Sequence, residues 1–169
     1  MDYLISFDSR LDPDRLAASL TERWAIPLAQ ILIDKSAAPG TYEGPPPVAG
    51  IEHGNRPSSD FDVQLTAYKA FVAVWGVSKL CLATTLCMAL DTRALISDGS
   101  GVCRMLITED GWHGWVVLRD GVDGMVIDYA LHPVPVAPAI PVKPTPDWHD
   151  GADLYTDRGT LCNQPASPL

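Results

Sequence analysis

The side chains best suited to chemistry lie on two neighbouring segments near the middle of the chain. Cys103 and His113 flank a short turn, so a hairpin would place a thiol and an imidazole on adjacent strands. Thiol catalysis needs a base within hydrogen-bond reach of the sulfur. Nothing near Cys103 is clearly placed to orient the imidazole. A cysteine that packs in the core and a histidine on the surface are therefore the default interpretation.

Carboxylates are a second source of chemistry, and Asp8, Asp98, Asp110 and Asp128 could in principle pair for acid–base or metal work. Most of them fall at turns, where aspartate is favoured because its side chain bonds to the nearby backbone. Asp128 lies within a predicted strand and is the exception. A small enzyme of an unrecognised family that uses Cys103, His113 or Asp128 is therefore kept as an alternative.

Established catalytic motifs are absent from the sequence. It has no GxSxG, no GxxxxGK[ST], no HExxH and no GxGxxG after a strand. The four cysteines, at positions 81, 87, 103 and 162, show neither CxxC spacing nor a nearby histidine pair. We therefore predict no metal, no cofactor and no disulfide framework.

Composition narrows the class of partner. The 169 residues carry a net charge of −9 and only 12 scattered Lys and Arg, which argues against nucleic acid because phosphate binding needs clustered cations. No stretch approaches the roughly 20 apolar residues of a membrane span. The first residues show no basic region and no cleavage site, so we expect a cytoplasmic protein. An acidic surface favours a basic protein partner, although acidity also simply keeps proteins dispersed.

Aromatic and acidic residues are concentrated around one predicted turn. Trp112, His113 and Trp115 follow the turn at residues 109–111. An exposed indole surrounded by carboxylates is typical of a protein-binding hot spot for a basic partner, whereas two packed indoles would simply belong to the core. The predicted partner-binding residues are Asp98, Glu109, Asp110, Trp112, His113, Asp120 and Asp123.

A helix at residues 78–90 is the element around which the rest is predicted to pack. Ser78 is a good N-cap, and the residues after it are apolar on almost every side of a helical wheel, which favours a central buried helix. Residues 71–75 and 94–97 flank this helix and are predicted as strands. The first segment is rich in aromatic and β-branched side chains, and the second is a short apolar run that ends in an Asp-Gly turn.

The N-terminal part predicts a β-α-β unit. A strand at residues 2–7 precedes a helix that Asp12 caps and Pro13 begins, and a second strand follows at residues 28–33. Residues 35–59 are rich in Pro and Gly and predict a loop. Residues 61–75 alternate as one strand, with a phase slip at Lys69.

The C-terminal part predicts an antiparallel meander and an arm. Asp-Gly turns separate apolar runs at residues 102–108, 112–118 and 125–129. Beyond His132 the prolines are too dense for a helix or a central strand, so we expect an extended arm and an acidic tail. The fold class is a single-domain α+β protein with a mixed or antiparallel sheet, a core domain at residues 1–132 and the arm at residues 133–169.

The segment at about residues 78–129, with ALISDG followed by CRMLITEDGWHGWVVLRDG, resembles the immunity proteins encoded beside bacterial polymorphic toxins. The resemblance implies a small, acidic, cytosolic α+β protein that blocks a toxin's active site directly, without catalysis. It transfers no functional residue to particular positions of this chain. The leading hypothesis is therefore an immunity protein, either a monomer or a small homo-oligomer. A module of a secretion or phage-like apparatus is a further alternative, in which the arm would pack on a neighbouring copy.

Overall fold

The computed structural model describes residues 2–34, 44–54, 56, 58–97, 103–119 and 124–143. Within these ranges three α-helices and one eight-stranded mixed sheet form an α+β fold, as predicted. In chain order the elements are β1 (Tyr3–Asp8), α1 (Pro13–Trp24), β2 (Ile31–Ile33), β3 (Ala49–His53), β4 (Phe61–Ala67), α2 (Lys69–Trp75), α3 (Lys79–Leu90), β5 (Ala94–Ser97), β6 (Cys103–Ile107), β7 (His113–Leu118) and β8 (Ile127–Ala130).

The strand order of the sheet is β2-β3-β4-β1-β5-β6-β7-β8. Neighbouring strands are antiparallel except β2 and β3. The predicted meander is confirmed as β6 to β8, and β5 extends it as a further antiparallel neighbour of β6. The compact β-α-β unit is wrong in one respect, because β3 and β4 lie between β1 and β2. Instead, β1 pairs along its length with β4, beginning at Tyr3↔Ala67. The two strands are antiparallel, and β4 comes from much later in the chain.

The strand predicted at residues 71–75 is also wrong. β4 ends at Ala67, and Lys69, where the alternation slips, begins helix α2 instead. Phe71 is fully buried. The centre of its ring lies 6.1 Å from that of the Trp24 ring and 5.0 Å from that of the Trp75 ring. These contacts need a helical turn between Phe71 and Trp75, so tertiary packing overrides the β-propensity of the segment.

Helix α3 begins where the sequence predicts, but it is not enclosed on all sides. Ser78 Oγ accepts a hydrogen bond from the Cys81 backbone N–H at 3.2 Å, which caps the helix. One side of α3 packs on the sheet through Leu82 and Leu86, while Met88 is 59% exposed. An apolar composition therefore overstates the burial of this helix, which lies beside α1 on one face of the sheet.

Loss of the α3 cap has a predictable effect. We expect Ser78→Ala to lower the free energy of unfolding by about 1 kcal/mol, because it leaves a first-turn N–H without an acceptor. Urea denaturation measures this difference. Ser78→Thr keeps an acceptor and serves as the matched control. Equal stability of the alanine and threonine variants would contradict a role for the cap.

The loop predicted at residues 35–59 contains a strand, β3, because Ala49 and Ile51 are buried in the main core. Residues 35–43 lie outside the described residues. Arg56, from the same predicted loop, donates from Nε to Asp62 Oδ1 at 2.9 Å, and Asp62 is almost fully buried. The backbone N–H of His53 donates to Asp34 Oδ1 at 2.6 Å.

The sheet buries apolar side chains on both faces. Helices α1 and α3 cover one face, and a second core with Leu95, Leu106 and Val116 lies on the other. Phe61 and Val134 belong to this second core. The described part of the arm, residues 133–143, packs on the core domain, where Val142 pairs with Ala130, but it is turned rather than extended. The acidic tail lies outside the described residues.

Among the described residues, no single helix is long and apolar enough to cross a membrane. Helices α2 and α3 pass the length and composition test only together, as a pair bent by 87°.

Candidate functional site

Three connections meet at one end of the sheet and line an open cleft of about 400 Å³, which we call the pocket. They are the end of β1 with the start of α1, the end of α3 with the start of β5, and the turn between β6 and β7. Antiparallel pairing explains why they meet, because β1 ends where β5 begins and where β6 turns into β7. The charged lining residues are Asp8, Arg10, Arg15, Asp91, Arg93 and Glu109.

Asp8 is the buried centre of this site, with 4% of its surface exposed. Its Oδ2 accepts from Arg93 Nη2 at 2.8 Å and from Arg10 Nη2 at 3.0 Å, and its Oδ1 accepts from Arg10 Nε at 2.9 Å. Burial on its own would raise the pKa of the Asp8 carboxyl, but the two guanidinium groups outweigh it and hold the pKa well below its usual range. Asp8 is therefore ionised at neutral pH and joins β1 to the start of β5.

Arg93 is held from two directions. Its guanidinium bonds to Asp8 and lies 5.3 Å above the centre of the Phe61 ring, a cation–π arrangement. Arg10 bonds to both oxygens of the same carboxylate but lies much nearer to solvent, because its side chain is 83% exposed. In the pocket, Arg93 is therefore partly buried and held on two sides, whereas Arg10 lies at the solvent-exposed edge.

Glu109 has a different environment. Its Oε2 atom is buried and has no hydrogen-bond partner within the described chain. Arg15 and Asp91 line the same pocket, and none of the described residues lies within ion-pair distance of either side chain. Asp91 also has a left-handed backbone, with φ 52°, where it ends α3. The pocket therefore holds charged groups of both signs that are not paired with each other.

Four of the predicted partner-binding residues lie at the turn between β6 and β7, but they do not face one way. Glu109 lines the pocket, while Asp110 is exposed and accepts from Thr108 Oγ1 at 2.5 Å and from the Trp112 N–H at 3.2 Å. These bonds lower the pKa of Asp110, with the Thr108 hydroxyl contributing most. Trp112 is half-buried against the second core, and His113 is half-buried at the start of β7.

The other three predicted partner-binding residues, Asp98, Asp120 and Asp123, lie outside the described residues. Strands β5 and β7, which lead toward them, end at Ser97 and Leu118. In the register of the meander, these ends are opposite to the turn that carries Asp110. Of the seven predicted residues, the structure therefore describes only Glu109, Asp110, Trp112 and His113, and the predicted surface as a whole stays a prediction.

The alternative catalytic set is not assembled either. Cys103 pairs with Val117, and His113 pairs with Ile107, so the two residues sit at opposite ends of the hairpin, four positions or about 13 Å apart. Asp128, on β8, lies 3.6 Å from Lys143 Nζ. Cys103 is buried, as a packing cysteine would be.

The described part of the chain contains no group of three or more His, Cys, Asp or Glu side chains that could hold a metal ion. Burial raises the pKa of the Cys87 thiol, and the nearby charge of Glu109 adds to the effect, so this thiol is protonated at neutral pH.

No protein-family model matches the chain, and comparisons with curated proteins and with solved structures find no significant match.

The pocket is the part of the site that sequence patterns missed. Asp8 is one of the candidate carboxylates in the sequence, but no sequence motif marks Arg10 or Arg93 as its partners. The local sequence indicates one part of this cluster, because an aspartate at a strand end can accept a hydrogen bond from the backbone N–H two residues later. Asp8 accepts such a bond from the Arg10 N–H. Arg93 is 85 residues from Asp8 along the chain, so only the pairing of β1 with β5 brings them together.

Proposed function

We propose that this protein is an immunity protein that binds a basic bacterial toxin and neutralises it by covering the toxin's active site. The observation that supports this most directly is an exposed surface at the end of the β6–β7 hairpin, beside α3. We call it the hairpin surface, and it consists of Met88, Asp110 and His113, whereas Trp112 packs against the second core on the other face of the sheet. A Cβ atom at Gly111, between the two elements, would lie 3.1 Å from Met88 Sδ, so the turn and the helix are in contact.

The composition of the hairpin surface suits a protein partner. Met88 is 59% exposed, and it is flexible and polarisable, which favours adaptable apolar contact. Asp110 adds an exposed carboxylate whose lowered pKa keeps it charged. With a net charge of −9, the chain attracts a basic partner over distance, while buried apolar anchors lengthen the lifetime of the complex.

The proposed protein acts in the cytoplasm without a cofactor or a catalytic step, as a monomer or a small homo-oligomer. An assembly module has less support, because residues 133–143 pack on their own sheet. Size measurement at several concentrations separates the two, since assembly requires a mass that rises with concentration.

Met88→Lys tests the hairpin surface. We expect it to raise the Kd for the toxin encoded by the neighbouring reading frame at least about tenfold, because it removes an apolar anchor and adds a charge of the partner's own sign. Val74→Lys is the matched control, since Val74 is 70% exposed on α2 and away from the hairpin. Calorimetric titration gives the Kd of each variant, and thermal melting shows that both fold.

A second variant separates charge from packing. Asp110→Asn keeps an acceptor for Thr108 but removes the negative charge, so it should slow association and weaken its dependence on salt. Protection of cells that express the toxin gives an independent readout. Unchanged affinity and unchanged protection for both Met88→Lys and Asp110→Asn would refute the hairpin surface, and a neighbouring product that neither binds nor kills would refute the function.

A further inference from the structure

The two edges of the eight-stranded sheet are built differently. β2 is only three residues long, and Asp34, directly after it, has a left-handed backbone with φ 43°. β8 is the last strand at the other edge of the described sheet, and part of the arm runs beside it. An uncovered strand edge offers N–H and C=O groups to other chains, so proteins commonly shorten or cover their edges. The contacts beside β8 therefore decide whether this edge is open to another chain.

The arm covers the edge of β8 through two backbone hydrogen bonds. The Ala130 N–H donates to the Pro141 carbonyl at 2.8 Å, and the Lys143 N–H donates to the Ala130 carbonyl at 3.2 Å. Val142 thereby pairs with Ala130 in parallel. We call residues 141–143 the edge cover. Its release would leave both backbone groups of Ala130 free to pair with another strand.

The edge cover is less buried than the part of the arm before it. Val134 is 2% exposed in the second core, and Ala137 and Ile140 pack against that core. Val142, in contrast, is 48% exposed. Release of the edge cover therefore exposes little new apolar surface, and it does not require the earlier part of the arm to leave the core.

The side chain of Lys143 adds contacts at the surface. Its Nζ atom lies 3.6 Å from Asp128 Oδ2 and 4.4 Å from the centre of the Tyr129 ring. Because the Lys143 side chain is 54% exposed and that of Asp128 is 40% exposed, water and salt weaken this attraction. The two backbone hydrogen bonds to Ala130 are therefore the main attachment of the edge cover.

We infer that the edge cover keeps β8 from pairing with β8 of a second copy of this chain. The edge accepts strand addition, since residues 141–143 already occupy it in this way. When the cover opens, two β8 strands pair antiparallel about a twofold axis, because each edge then offers the other the same donors and acceptors. The edge cover thus acts as a conformational device that determines whether the protein is a monomer or a dimer.

Lys143→Pro in the full chain tests this inference, because proline has no N–H to donate to the Ala130 carbonyl. At low protein concentration, we expect the Ala130 amide to exchange at least about tenfold faster than in wild type. As the concentration rises, the mass measured by light scattering should approach twice that of one chain, and protection of the Ala130 amide should return. Salt at about 0.15 M screens the repulsion between two chains of net charge −9.

Lys143→Ala is the matched control, since it removes the ammonium group but keeps the backbone N–H. Its mass should equal that of one chain wherever the wild-type mass does. A double variant, Val142→Gly with Lys143→Pro, weakens the edge cover further and should dimerise at lower concentration than Lys143→Pro. Unchanged amide exchange in β6 and β7 shows that each variant keeps the rest of the sheet.

Two results would overturn the inference. One is a double variant that keeps the mass of one chain at every concentration, whether or not its Ala130 amide exchanges faster. The other is a wild-type chain that dimerises at the same concentrations as Lys143→Pro, because the edge cover would then prevent nothing. Since no toxin is present in these measurements, failure here leaves the proposed immunity function untouched.

Discussion

Replacing Asp8 with asparagine is expected to lower the free energy of unfolding by about 2 to 3 kcal/mol at neutral pH. Asparagine has nearly the same size, but it removes the charge and turns an amide NH₂ toward one of the two arginines. Arg93 is 25% exposed and loses the carboxylate that compensates it, whereas Arg10 is 83% exposed and regains water. Urea denaturation of the two proteins measures the difference.

The control for this variant is Asp60→Asn. Asp60 is an exposed carboxylate near the same end of the sheet, so its replacement should change stability by less than about 0.5 kcal/mol. Similar losses for both variants would mean that the overall negative charge, rather than the Asp8 ion pairs, is what matters.

Acid should remove the advantage of Asp8. The pKa of Asp8 in the folded protein lies well below the pKa of about 4 of an aspartate in the unfolded chain. The stabilisation that Asp8 provides is therefore complete above the unfolded pKa and declines as the pH falls toward the folded pKa. The stability difference between wild type and Asp8→Asn should therefore stay constant down to about pH 5 and shrink between about pH 5 and about pH 3. A difference that stayed constant over this range would show that the charge of Asp8 is not its source.

Local chemistry made part of this fold predictable. Asp12 accepts from the Asp14 N–H and Pro13 begins α1, while Ser78 caps α3, as their sequence positions indicate. The turn at Gly111 has φ 84°, a conformation that favours glycine, and it joins β6 to β7 as predicted. Each of these signals lies within a few residues of the structure that it specifies.

Partners distant in sequence account for what was mispredicted. Nothing near Tyr3 indicates that β4 will be its neighbour rather than β2, and the choice determines the whole strand order. The residues of the candidate site also differ in whether local sequence or distant pairing positions them. The residues of the β6–β7 turn, such as Asp110, were found from local composition, whereas the contact of Asp8 with Arg93 follows from strand order and could not be read from either segment.

Phe71→Ala is expected to have the largest effect of all, a loss of about 3 to 5 kcal/mol, because it removes a fully buried ring that packs against two indoles. Helix α2 has only seven residues, too few to be stable alone, so this ring is what makes residues 69–75 helical. Hydrogen exchange should therefore rise first in α2, while Val74→Ala, at a 70% exposed position on the same helix, should leave exchange and stability nearly unchanged. If Phe71→Ala leaves α2 protected, helix propensity rather than packing determines this segment.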